Sequence, residues 1–249
     1  MKNKRNWVFI ITCIVAVAAF ASLVVIFAVK AFQENDYPEE GKTCPAGQHL
    51  ACVWYEDGSH ECECEDWRYE IKKPMVYLYP EVETEVSVKL GYPEKLVTSY
   101  PRYKDGWNVV AAPDGTLTLG TKKFYGLYWE GKDYPFVVTD EGFIVRGENA
   151  ADFLEEKLRI LGLNDREANE FIVYWLPVLE KNEYNYVRFA EKKEIDDYMP
   201  LLVTPEVDTL IRVYMVTKPV DKDFEVKEQK LTPAGKRTGF TVVEWGGSN

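Results

Sequence analysis

The longest apolar run covers residues 7–29, 23 positions with neither a charge nor a proline. At about 1.5 Å per residue it spans the roughly 30 Å hydrocarbon core of a bilayer with length to spare. This predicts a single transmembrane helix, with Trp7 at the interface. Lys2, Lys4 and Arg5 precede the run; Lys30 follows it, and then Glu34, Asp36, Glu39 and Glu40. The Lys and Arg bias puts a short tail, residues 1–6, in the cytoplasm and the rest of the chain outside it. A signal peptide cut after Ala31 is the alternative, because Val29 and Ala31 satisfy the small-residue rule. The run exceeds the usual apolar length of about 7–15 residues for such a peptide, which favours the uncleaved anchor. Either way the remainder is exported.

Residues 30–43 are acidic, contain Pro38 and Gly41, and form a linker. From residue 73 onward the pattern turns to strands. Residues 75–79 end at Pro80, and 82–90 alternate: Val82, Val86, Val88 and Leu90 on one face, Glu83, Glu85, Ser87 and Lys89 on the other. Segments 96–100, 107–111, 116–119 and 124–129 continue the meander, with Asp105-Gly106 and Asp114-Gly115 as turn dipeptides. Segments 136–138 and 142–145 flank a further turn.

The period then changes to a helical one. Asn149 is placed to cap a helix carrying Leu154, Leu158 and Leu161, which Gly162 ends. Asn164 and Glu167 have capping-box spacing, and Ala168, Phe171, Ile172, Trp175, Leu176 and Leu179 form an apolar stripe. Pro177 is expected to kink or end this second helix. Strands resume at 184–189, 201–204, 210–216, 226–231 and 240–245. Strands, two helices, then strands predict an α+β fold. The expected architecture is an antiparallel, β-rich, sandwich-like domain over 73–247 with a two-helix insertion.

Four of the five cysteines, Cys44, Cys52, Cys62 and Cys64, fall in residues 44–66. In an exported segment this predicts a two-disulfide staple, paired 44–62 with 52–64 or 44–64 with 52–62. A zinc site using His49 or His60 is the rival, but the paired Cys-x2-Cys spacing of zinc knuckles is absent. No metal or cofactor is therefore expected.

The net charge of −11 repels phosphate backbones and argues against nucleic acid as a partner. After residue 64 there is neither His nor Cys, and only Ser87, Ser99 and Ser248 remain as serines. That excludes a His-assisted nucleophile within the main domain. No phosphate-binding glycine motif occurs. Carboxylate chemistry on a glycosidic bond is what remains, with Glu130 and Glu170 as weak catalytic candidates. Aromatic side chains crowd residues 92–134, and Tyr103, Trp107, Tyr128 and Trp129 are candidates for a binding surface. The bland alternative is that these rings fill the core of a sheet.

Four strings stand out: KPMVYLYP at 73–80, YWEG at 128–131, EANEFIVYWLP at 167–177 and RTGFTVVEWGG at 237–247. Together they resemble an uncharacterised family of bacterial and archaeal proteins, often membrane-anchored at the N-terminus. The resemblance spans about residues 73–247 and implies no activity. The expectation is an extracytoplasmic binding protein of the cell envelope, recognising an envelope glycan or a protein near the membrane. The alternatives are a carboxylate-dependent glycan hydrolase and a structural subunit of an envelope complex.

Overall fold

The computed structural model describes Cys44 and residues 48–55, 59–66 and 69–249. The expected tail, transmembrane helix and linker lie outside the described residues. Among the described residues no helix is long and apolar enough to cross a membrane. The chain divides into two units, residues 1–65 and 66–249.

In the first unit β1 (Gln48–Trp54) and β2 (His60–Asp66) form a two-stranded sheet. The Tyr55 amide donates to the Ser59 carbonyl at 2.8 Å, just beyond the paired strands. Disulfides join Cys44 to Cys64 and Cys52 to Cys62, with Cα separations of 5.6 and 4.1 Å. This is the nested member of the two pairings that the spacing allowed. The hairpin register explains it: with Tyr55 opposite Ser59, Cys52 falls opposite Cys62. A lone two-stranded hairpin is marginal in water, so the staples carry much of its stability.

The second unit has three layers. The central layer is an eight-stranded sheet in the order β14 (Lys227–Glu228), β10 (Glu141–Arg146), β11 (Tyr184–Phe189), β13 (Thr209–Pro219), β15 (Thr241–Ser248), β3 (Tyr69–Tyr79), β9 (Leu127–Tyr134), β5 (Leu96–Tyr100). A five-stranded sheet covers one face, in the order β12 (Leu201–Thr204), β4 (Thr84–Leu90), β6 (Trp107–Ala111), β7 (Leu117–Leu119), β8 (Lys122–Phe124). Helices α1 (Ala150–Ile160) and α2 (Asp165–Leu179) cover the other face. Pairing is antiparallel apart from β13 with β15 and β10 with β14. The long excursion between β13 and β15 is what a parallel neighbour requires.

Period-two alternation divides the central strands between two cores. Val76 and Leu78 of β3, Tyr214 and Val216 of β13 and Val242 of β15 face the five-stranded sheet. Met75 and Tyr77, Val213 and Met215, and Val243 and Trp245 face the helices. Strands buried on both faces read as unbroken apolar runs, as MVYLY does at 75–79.

The capping box forms as the sequence predicts: the Glu167 amide donates to Asn164 Oδ1 and the Asn164 amide to Glu167 Oε2, both at 2.9 Å. Pro177 does not end the helix, which runs on to Leu179. A short helix, α3 (Lys192–Tyr198), was not legible, because it buries only Ile195. It is held from beneath by Arg212, which donates to the Met199 carbonyl at 2.6 Å and to Asp196 at 3.1 Å. Arg212 also pairs with Glu244 across β13 and β15; their side chains are 1% and 2% exposed. The Trp129 indole donates to the second oxygen of Glu244. Breaking such a buried pair on one side costs about 3–5 kcal/mol.

Candidate binding site

Pro74 decides the local geometry. It sits inside β3, between β15 and β9, where a residue without an amide proton cannot serve the ladder. The register of β3 slips on both sides: between Ile71 and Met75 against β9, and opposite Trp245 and Gly247 of β15. At this bulge Lys73 takes a left-handed backbone, φ 56°. For a lysine that conformation costs about 1–3 kcal/mol, and bulges of this kind re-aim side chains. The Lys73 amide, turned out of the ladder, donates to Glu130 Oε1 at 3.1 Å. Its ammonium stands over two rings, 5.6 Å from the centre of Tyr128 and 5.7 Å from that of Tyr174.

The partners come from three elements. Leu127 and Trp129 of β9 face the sandwich core, so Tyr128 and Glu130 face the helix side. Tyr174 projects from α2 beside them. The buried cluster under the helices draws on β10, β11, β13, β15 and β3, while Tyr128 of β9 reaches only its rim. The helix side of β9 and β5 is thus an open shelf, with α2 as its wall. By register Thr98 lies opposite Glu130 and Tyr100 opposite Tyr128, and Tyr100 is 62% exposed. At the other end of the shelf the Arg166 guanidinium lies 4.9 Å from the centre of the Tyr125 ring.

Burial and the nearby Glu130 carboxylate push the pKa of Tyr128 and of Tyr174 above the ordinary tyrosine value, so both hydroxyls remain protonated at neutral pH. Lys72 is raised mainly by its hydrogen bond to Glu70, at 2.6 Å. The shelf therefore combines tyrosine faces, two lysines and a carboxylate. Ring faces of this kind stack on the apolar side of a sugar, and the polar groups around them bind its hydroxyls.

The sequence candidates separate cleanly. Tyr128 and Glu130 lie on the shelf. Trp129 is buried in the sandwich core, and so is Trp107, whose indole donates to the Pro101 carbonyl at 2.7 Å. Neither tryptophan offers a face to a ligand; each fills the space between the sheets. Tyr103 is half-buried, packs edge-on to Trp107 at 4.7 Å and accepts from the Leu90 amide. It belongs to the five-stranded layer. Glu170 receives the Tyr77 hydroxyl at 2.7 Å on one oxygen and Arg166 at 3.2 Å on the other. It fastens α2 to the sheet.

Sequence reasoning missed Lys73 and Tyr174. The signal was present: a proline inside an apolar strand marks a bulge, and the Gly246-Gly247 pair supplies room opposite it. A concavity of about 720 Å³ lies at α3 and the 229–238 segment. Its rim mixes Lys192, Lys193, Lys230 and Lys236 with Glu191 and Asp208. Two of these lysines are already paired within α3, to Asp196 and Asp197. Its charges do not converge on one point.

No family model matches the chain. No solved structure matches it either. A protein of Butyrivibrio fibrisolvens described as "Uncharacterized protein in bglA 3'region" is 42% identical over 62 residues. That stretch is 24% of this chain, and the chain spans about 65% of the relative's length. The relative's name carries no activity.

Proposed function

We propose that this is a membrane-anchored, extracytoplasmic binding protein of the cell envelope, and that its shelf takes the sugar rings of an envelope glycan. The apolar run at 7–29 and the charges around it support the anchor and its orientation. The disulfide pairs support an exported location, since such bonds persist in oxidising compartments.

One observation carries the glycan reading: the Lys73 ammonium held between Tyr128 and Tyr174, with the Lys73 backbone amide fixed on Glu130. The four strings that resemble the uncharacterised family converge there. Lys73-Pro74, Tyr128 to Gly131, Tyr174-Trp175 and Gly246-Gly247 all border the bulge. A core alone does not call for a strained lysine over two half-buried rings.

Co-sedimentation of the full chain, in detergent, with purified envelope polysaccharide tests this. Saturable binding that Tyr128→Ala and Tyr174→Ala each weaken by about tenfold supports it, a typical loss for one aromatic contact. Binding that survives both substitutions, or no binding at all, overturns it.

A further inference from the structure

Most charges around the shelf already have partners. Glu170 is held by Tyr77 and Arg166, and Glu70 by Lys72. Glu130 accepts from the Lys73 backbone. The Lys73 ammonium differs. Among the described residues it forms no ion pair and no hydrogen bond, although the residue is half-buried. An ammonium has three donors, and ring faces stabilise its charge without supplying a lone pair to any of them. The neighbouring Tyr174 hydroxyl likewise has no hydrogen-bond partner among the described residues.

The ammonium is also held in place. The Pro74 bulge sets the Lys73 backbone, Glu130 anchors its amide, and two rings flank its end. A lysine restrained in the free protein loses less entropy when a ligand arrives. What such a group lacks is an acceptor carrying negative charge.

We infer that the shelf selects acidic glycans, with Lys73 as the specificity-determining residue that receives the ligand's anionic group. This rests on the glycan reading above and names its ligand class. The chain as a whole carries −11, so long-range attraction does not draw an anion in. Selectivity has to come from this one local contact, with the sugar ring against the tyrosines beside it. A carboxylate on a uronic acid and a phosphate on a sugar offer the same chemistry to an ammonium.

The test measures affinities of the full chain in detergent for three soluble polymers: dextran, polygalacturonate and phosphorylated dextran. The expected result is that at least one acidic polymer binds about tenfold more tightly than dextran, the size of effect one charge contact supports. Which acidic polymer is preferred tells carboxylate from phosphate. Lys73→Met keeps the stem between the rings and removes the charge; it should abolish the preference for the acidic polymers over dextran. Lys73→Arg should keep most of the preference. If Lys73→Met fails to fold, Tyr174→Phe, which keeps the ring, should still reduce the preference about threefold. Equal affinity for dextran and both acidic polymers overturns the inference and leaves glycan recognition standing. A preference that survives Lys73→Met also overturns it. Absence of binding to every polymer refutes glycan recognition itself.

Discussion

Pro74 and Gly246 meet across β3 and β15 with no room between them: a side-chain carbon at 246 would stand 3.1 Å from Pro74 Cγ and 3.2 Å from its Cα. At Gly247 the crowding is worse. A carbon there would lie 2.5 Å from the Trp175 ring and 2.6 Å from the Met215 carbonyl oxygen. Close-packed interiors do not absorb such overlaps. Gly247→Ala is expected to lose about 3 kcal/mol and Gly246→Ala about 1 kcal/mol. Urea unfolding of the two variants checks the order; equal midpoints would mean that Trp175 can retreat.

Arg237 and Glu167 make a second fastening of α2. The Glu167 side chain is fully buried; Arg237 donates to both of its oxygens, at 3.0 and 2.5 Å, and to the Gly162 carbonyl at 2.6 Å. Arg237→Ala removes the cation that compensates a buried carboxylate. A loss of about 2–4 kcal/mol is expected, below the largest values because Arg237 is partly exposed. Thermal unfolding of Arg237→Ala against Arg237→Lys tests this; if Lys restores full stability, the forked geometry is irrelevant.

Alkaline pH should unfold the second unit. Burial raises Tyr77 and Tyr214 well above the ordinary tyrosine value; the Glu170 carboxylate adds to the shift at Tyr77. The native state therefore keeps protons that the unfolded chain gives up near pH 10. Stability is full below about pH 10 and falls as pH rises beyond it, by roughly 1.4 kcal/mol per pH unit for each such ring. Circular dichroism and phenolate absorbance should change together. Tyr214→Phe should flatten the decline; a slope unchanged by that substitution argues against this ring as a contributor.

The thiols give a direct count. With Cys44–Cys64 and Cys52–Cys62 formed, only Cys13 of the five cysteines should react in denaturant without reductant. All five should react after reduction. Reduction should melt the hairpin and leave the unfolding midpoint of the 66–249 unit unchanged, because its two cores contain no cysteine. Five reactive thiols before reduction would refute the staple.

The fold was legible wherever one residue period held over several turns or strand steps. The Asn164–Glu167 box and the stripe from Ala168 to Leu179 placed α2 within a residue of its observed start. The alternation at 82–90 gave β4. Strand order was not legible, because β15 joins β13 and β3 through contacts far apart in sequence, such as Trp245 to Tyr77 at a separation of 168. The shelf was half legible. Tyr128 and Glu130 were named from composition, yet the same crowding also named Trp107 and Trp129, because aromatic density does not distinguish a face in solvent from a face in the core. Lys73 was invisible by type, and only the proline after it marked the place.

The position of β15 bears on biogenesis. Residues 241–248 follow every other strand in sequence but lie in the middle of the eight-stranded sheet, between β13 and β3. Until they arrive, the half built on β13 and the half built on β3 each present an open, apolar edge where their shared neighbour belongs. Such edges pair readily with other chains. A nascent copy therefore stays exposed until almost the whole unit has been made, and its closure waits on contacts of the longest range, which form slowly. If the chain is exported, that interval falls on the far side of the membrane, where holding the two halves apart from other edges becomes the task of whatever chaperones that compartment supplies.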